Sequence, residues 1–196
     1  MTDITSEASP AGRSGAMSSV KSPPADRQID VPSHVDIVSY VELFYFAYRD
    51  FTCDPDTILE QYGFGRAHHR VLHFVHRNPG LKVAELLDIL KITKQSLARV
   101  LKQLVDEGFI IQRAGDEDRR ERRLYVSAKG ARLTDKLTQI QVKRLEAALT
   151  KAGPGADTLA RQFLFAMIAD KDRPHVEALL KVVNGPHAPA STGSSE

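Results

Sequence analysis

Between Thr93 and Gly130 the chain changes its hydrophobic period, and few folds accept elements in that order. Leu97, Val100, Leu101 and Leu104 recur at helical spacing, and Thr93 stands where its hydroxyl can cap that helix. Lys94, Gln95, Arg99 and Lys102 fall off the apolar stripe and turn toward solvent, with no acid among residues 94–103. Gly108 is placed to end the helix in a left-handed conformation. Residues 109–113 and 123–127 then read as two strands. The charged run 115–123 joins them, and residues 119–123 hold four arginines around one glutamate.

A basic-faced helix leading into a charged β-hairpin is the layout of a winged helix-turn-helix. There the helix enters the DNA major groove and the hairpin reaches a neighbouring groove. The net charge of the 196-residue chain is only +2, so the local clusters carry this reading and the overall balance does not.

The flanks are helical. Ser33 can cap a first helix with Ile37, Val41, Phe44 and Tyr48 on its apolar side, and Asp54-Pro55 is expected to interrupt it. A second helix fits residues 66–77, with Phe64, Ala67, Val71 and Val75 along one face, and Asn78-Pro79-Gly80 ends it. Leu81 can pair as a short strand, residues 83–90 form the next helix, and Lys91-Ile92 makes the turn. Ser127 can cap a long helix to about residue 151, broken by Gly153-Pro154-Gly155. A final helix is expected from about Asp157 to Asn184, disturbed at Pro174. The faces at 37–48 and 159–183 are apolar on more sides than one domain needs, which predicts packing both on the chain's own domain and on something else.

The expected fold class is therefore mainly α with a small β-hairpin wing: a winged helix-turn-helix plus N- and C-terminal dimerisation helices. Residues 1–30 and 185–196, rich in Ser, Pro, Ala and Gly, read as disordered tails. The N-terminal dimerisation region spans 31–62, the DNA-binding domain 63–130 and the C-terminal dimerisation helices 131–184. No apolar run has the length of a membrane helix and no export signal opens the chain, so a cytoplasmic protein is expected.

This pattern resembles the MarR family of bacterial transcription regulators, from about Ser33 to Asn184 and most closely over 64–130. Pro79-Gly80 matches the end of the family's second helix. Thr93, Lys94, Gln95, Ser96 and Arg99 match its Ser/Thr-Lys-Gln-Ser/Thr-x-x-Arg pattern, and Asp118 and Arg120 match the Asp-x-Arg of its wing. Val126-Ser127-Ala128-Lys129-Gly130 answers its Leu-Thr-x-x-Gly. Tyr48-Arg49-Asp50-Phe51 and residues 62–70 resemble the PetP-type subgroup. Lys82 departs from the usual Ser or Thr cap, and His68 and His69 replace a Gln and an aromatic residue.

The resemblance implies a ligand-responsive repressor that binds a pseudo-palindromic operator as a homodimer. Its partners would be double-stranded DNA and an anionic or aromatic effector, with no membrane and no cofactor. Gln95 and Arg99 suit base edges, as Gln pairs bidentately with adenine and Arg with guanine. Thr93, Lys94 and Ser96 at the helix N-terminus suit phosphate, as does Lys102. Arg120 suits the minor groove, Asp118 would orient an arginine, and Arg119, Arg122 and Arg123 add positive potential. An exposed charged face is just as often only solvated, and residues 94–102 alone leave both readings open.

Tyr48, His69 and His73 are candidate effector-binding residues, with core packing as the alternative. His69, His73 and His76 stand at i, i+4 and i+7, but neither cysteine nor a well-placed carboxylate completes a metal set. Metal- or redox-sensing, the latter through the lone Cys53, and a winged-helix module that binds protein remain as alternatives. Enzyme motifs are missing: there is no phosphate-binding glycine loop, Gly-x-Ser-x-Gly or metalloprotease pattern.

Overall fold

The computed structural model describes residues 34–115 and 121–184. The expected tails, the Ser33 cap, Asp118, Arg119 and Arg120 lie outside the described residues. The elements run α1 (His34–Glu60), α2 (Arg66–Arg77), β1 (Leu81–Lys82), α3 (Val83–Leu90), α4 (Lys94–Asp106), β2 (Ile110–Ala114), β3 (Arg122–Val126), α5 (Ala128–Ala152), α6 (Ala156–Ala166) and α7 (Arg173–Asn184). The chain divides after Ser39 into two units. In the first, the described residues are helical and the Ser39 hydroxyl donates to the Asp36 carbonyl. The second, from Tyr40 onward, holds every other element.

The helical class with a small antiparallel sheet is the one the sequence pattern implies. The strands lie in the order β1-β3-β2. Ile110 stands opposite Val126 and Ala114 opposite Arg122, while Leu81 pairs with Leu124 on the other edge. One core joins Leu59 of α1, Val71, Leu72 and Val75 of α2, Leu86 of α3, the α4 stripe, Phe109, Leu124, and Leu133 and Leu137 of α5. The four predicted stripe residues of α4, Leu97, Val100, Leu101 and Leu104, are all buried.

Two expected breaks fall elsewhere. Helix α1 continues through Asp54-Pro55. An interior proline costs a helix about 3 kcal/mol. The turn beyond it carries Ile58 and Leu59 into the core at 8% and 0% exposure, and burying each such side chain returns about 1.5–3 kcal/mol. The final helix is instead two. It breaks at residues 167–172, upstream of Pro174, which is the second residue of α7. There its missing N–H has no helical partner to deprive. Arg173 clasps the break, donating from Nη2 to the Ala166 carbonyl at 2.7 Å and from Nε to the Ile168 carbonyl at 3.0 Å.

The wing strands are displaced by one residue from the expected 109–113 and 123–127, for a reason visible at their base. The Phe109 carbonyl accepts the Ser127 N–H at 2.9 Å, so this pair closes the hairpin outside the sheet. The Ser127 hydroxyl then accepts from the Gly130 N–H at 3.0 Å and donates to the Gly108 carbonyl at 2.7 Å. One side chain thus caps α5 and ties it to the exit from α4. Ser127→Ala removes both bonds and should destabilise the fold by about 1–2 kcal/mol, the scale of a lost cap. Urea unfolding would show this as a lower midpoint at unchanged slope.

Candidate nucleic-acid interface

Helices α3 and α4 form the helix-turn-helix. Helix α3 ends at Lys91, which adopts φ 50° without being glycine, and its N–H reaches the Leu87 carbonyl at 2.9 Å. Two residues on, Thr93 Oγ1 accepts the Ser96 N–H at 3.1 Å and donates to the Ser96 hydroxyl at 2.9 Å. The cap predicted at Thr93 is formed, and the two hydroxyls expected at phosphate first engage each other. At the start of α3, where Lys82 replaces a hydroxyl cap, the Lys82 N–H instead donates to Glu85 Oε2 at 2.9 Å.

The solvent side of α4 presents Lys94, Gln95, Ala98, Arg99 and Lys102, all exposed. At 100° per residue they occupy an arc of about 140°, opposite the buried stripe. Among the described residues, Lys94 and Arg99 have no ion-pair partner, whereas Lys102 contacts Asp106 one turn on. Ala98 was not singled out in the sequence, yet it lies mid-face among longer polar chains. A methyl group at that place lets the helix backbone come close to whatever it meets.

The wing adds cations beside this face. Arg122 is exposed at the tip end of β3 and Arg113 is exposed on β2, its guanidinium 5.0 Å from the centre of the Tyr125 ring. Strand alternation could have found Arg113, which is the outward cation of the first predicted strand. Arg123 is directed differently. Glu121 holds Lys82 Nζ at 2.9 Å and lies 3.2 Å from Arg123 Nε, the latter without hydrogen-bond alignment. Lys82 and Arg123 therefore brace the tip end of β3 against β1.

Helix α2 grips α4 from behind. The Gly65 N–H donates to His68 Nδ1 at 3.1 Å, which leaves the ring proton on Nε2 to donate to Gln103 Oε1 at 2.9 Å. Gln103 donates onward to Glu107 Oε1 at 2.9 Å. His68, unusual for the pattern, so fastens α2 to the basic-faced helix.

The same α2 lines a cleft of about 210 Å³ with α1 and α5, bounded among others by Tyr48, Asp56, Arg66, His69, Arg70 and His73. The structure thus brings Tyr48, His69 and His73 into one cavity. Arg70 Nη2 donates to the Tyr48 hydroxyl at 2.8 Å, and Arg66 Nε donates to Asp56 Oδ2 at 2.8 Å. Burial lowers the His69 pKa. Burial, then His69 and the nearby Arg77 and His76, lower that of His73 to about 4. His76 turns away and meets Asp135 at 3.2 Å. Among the described residues no three His, Cys, Asp or Glu side chains converge as a metal site. Cys53 is exposed.

A helix-turn-helix with a basic reading face and a flanking β-wing defines a winged-helix DNA-binding fold. Residues 62–121 match the MarR family. Over 139 residues the chain is 48% identical to the HTH-type transcriptional regulator PetP of Rhodobacter capsulatus, covering 71% of this chain and 84% of that protein. The chain belongs to the MarR family, whose members are DNA-binding transcriptional regulators and not enzymes. Solved structures share its fold. MarR aligns with a TM-score of 0.54 at 22% identity, over 80% of this chain and 95% of that one. SlyA aligns at 0.55 and 20%, over 75% and 99%. The S. aureus MepR–DNA complex aligns at 0.54 and 18%, over 65% and 94%.

Proposed function

We propose that the protein is a homodimeric, ligand-responsive repressor that binds a pseudo-palindromic operator in the cytoplasm. The observation that carries this is the solvent face of α4 over residues 94–102, cationic and free of acid, together with the neighbouring wing and a broad apolar surface elsewhere on the chain. On that surface Tyr40 and Phe44 of α1 pack against Phe163 of α6, with ring centres 6.1 and 5.9 Å apart. Beyond the contact, Val41, Leu43, Tyr45, Leu159, Leu164 and Met167 stay 54–68% exposed. Exposed apolar area of that extent marks an interface, and a twofold partner is the occupant this family resemblance supports.

In the dimer, residues 31–62 and 131–184 supply the interface and residues 63–130 the DNA-binding lobe. Two copies of α4 then face half-sites about 10 bp apart. Gln95 and Arg99 read base edges. Lys94, Lys102 and the N-terminal turn with Thr93 and Ser96 hold phosphate, Arg120 of the wing reaches the minor groove, and Arg119 and Arg122 add positive potential. Tyr48, His69 and His73 receive an anionic or aromatic compound, and occupancy favours a half-site spacing that does not fit the duplex. No described helix is long and apolar enough to cross a membrane.

Selection of duplexes from a random pool, followed by sedimentation of protein and complex, tests the reading. The expected result is a dimer that enriches an inverted repeat and prefers it to random duplex by at least about 10³-fold. A monomer, or a protein that enriches no sequence, would overturn it.

A further inference from the structure

Helix α2, Arg-Ala-His-His-Arg-Val-Leu-His-Phe-Val-His-Arg, contains no acid at all. Helical spacing sets His69 and His73 one turn apart in the cleft wall, with Arg66 and Arg70 beside them. The charged and titratable groups facing this pair are few. Helix α1 contributes the Tyr48 phenol and the Asp56 carboxylate, and α5 contributes only the uncharged Gln141. On α2 itself Arg77 and His76 flank His73, and His76 is already engaged with Asp135. Among the described residues Asp56 is the one carboxylate lining the cleft, and Arg66 donates to it.

Among the described residues neither the His69 nor the His73 ring makes a hydrogen bond, although both residues are half-buried. Burial is the first cause that disfavours a charge on either imidazole; Asp56 favours and Arg70 opposes one on His69, and His69, Arg77 and His76 oppose one on His73. An anion placed there reverses the balance. It offsets the burial cost with a nearby negative charge, supplies an acceptor for an imidazolium N–H, and makes protonation favourable where it was costly.

We propose that this cleft takes up an organic carboxylate together with one proton, which the His69–His73 pair receives from solvent. The inference rests on the reading of the cleft as the effector site, and adds acidification as a second input to it. No covalent bond to the ligand forms, and the proton resides on an imidazole nitrogen facing the carboxylate. The two rings titrate as a pair, so the charge belongs to both. By linkage, affinity must rise as pH falls below the ordinary histidine range, because the occupied form binds more protons than the empty one. The gain ends where the empty cleft itself becomes protonated, near pH 4 for His73.

Benzoate, which stays ionised from pH 7.5 to 5.5, is a suitable probe for calorimetric titration of the full chain. Its dissociation constant should fall up to about tenfold per pH unit between pH 6.5 and 5.5, the limit for uptake of one proton. At pH 6.0, titration in buffers of different ionisation enthalpy should show uptake of about half to one proton per ligand. The double variant His69→Gln, His73→Gln should lose that uptake and the pH slope. If it does not fold, the proton count on the unaltered protein still decides. Benzoate binding with no proton uptake would overturn the proposal and leave the effector cleft standing. No saturable binding at either pH would overturn both.

Discussion

Alanine in place of Gly130 should destabilise the protein more than any other single methyl group added to the described glycines. An ideal Cβ there would lie 2.2 Å from the Phe109 carbonyl oxygen and 3.1 Å from its carbon. Both atoms are backbone, so no side chain can swing aside. The Phe109 oxygen is already fixed by the Ser127 N–H at 2.9 Å, and the Phe109 ring is fully buried. Relief requires α5 to move off the exit of α4, which would loosen Leu133 and Leu137 from the core. Alanine gains about 1 kcal/mol in helix propensity over glycine. Overpacking against an unyielding neighbour nonetheless leaves an expected net loss of about 3 kcal/mol. That corresponds to a melting temperature lower by roughly 6–12 °C in a chain of this size. Gly153→Ala is the comparison: its φ of +90° is unfavourable for alanine, but no atom lies within 4 Å of the added methyl. It should cost only about 1–2 kcal/mol, from conformation alone. Equal melting points for the two variants would show that the contact at Gly130 yields.

That contact also explains what the sequence could and could not disclose. Gly130 was recognisable only as the last position of a family pattern, since nothing local requires glycine in the first turn of a helix. Its cause is a carbonyl 21 positions away along the chain, on a different element. The α4 stripe, its Thr93 cap and the Gly108 exit were legible because each is a local rule satisfied locally. Pro55 and Pro174 were misread for the opposite reason. A proline's local cost is fixed, but burial of Ile58 and Leu59 overrides it in α1, and the break near Pro174 falls where the Arg173 side chain can serve the freed carbonyls. At the reading face, the cationic residues were visible as composition and Arg113 was within reach of strand alternation, whereas Ala98 acquires meaning only from exposure. The bond from His68 to Gln103 spans 35 positions and needed the packing of α2 on α4 to appear.

Replacing Arg99 by alanine should abolish sequence preference before it abolishes DNA binding. Arg99 is exposed on α4 and has no ion-pair partner among the described residues, so no internal bond must break before it enters the groove. A bidentate arginine–guanine contact contributes about 1–3 kcal/mol of discrimination. In a symmetric dimer each substitution acts twice, so the operator should lose about 2–6 kcal/mol while random duplex loses little. Gln95→Ala should act in the same way at an adjacent base pair. Lys94→Ala should instead weaken specific and random duplex alike, and should lower the salt dependence by about one counterion per half-site. Lys102 differs from both because it already contacts Asp106. Its removal takes away a cation but leaves that carboxylate facing the phosphates, so Lys102→Ala should lower affinity and salt dependence by more than its single charge implies, and Asp106→Asn in the same chain should restore part of the affinity. Binding measured against the selected operator and random duplex, at several salt concentrations, separates these roles. If Arg99→Ala and Gln95→Ala lower both affinities equally, α4 holds the backbone and the bases are read elsewhere.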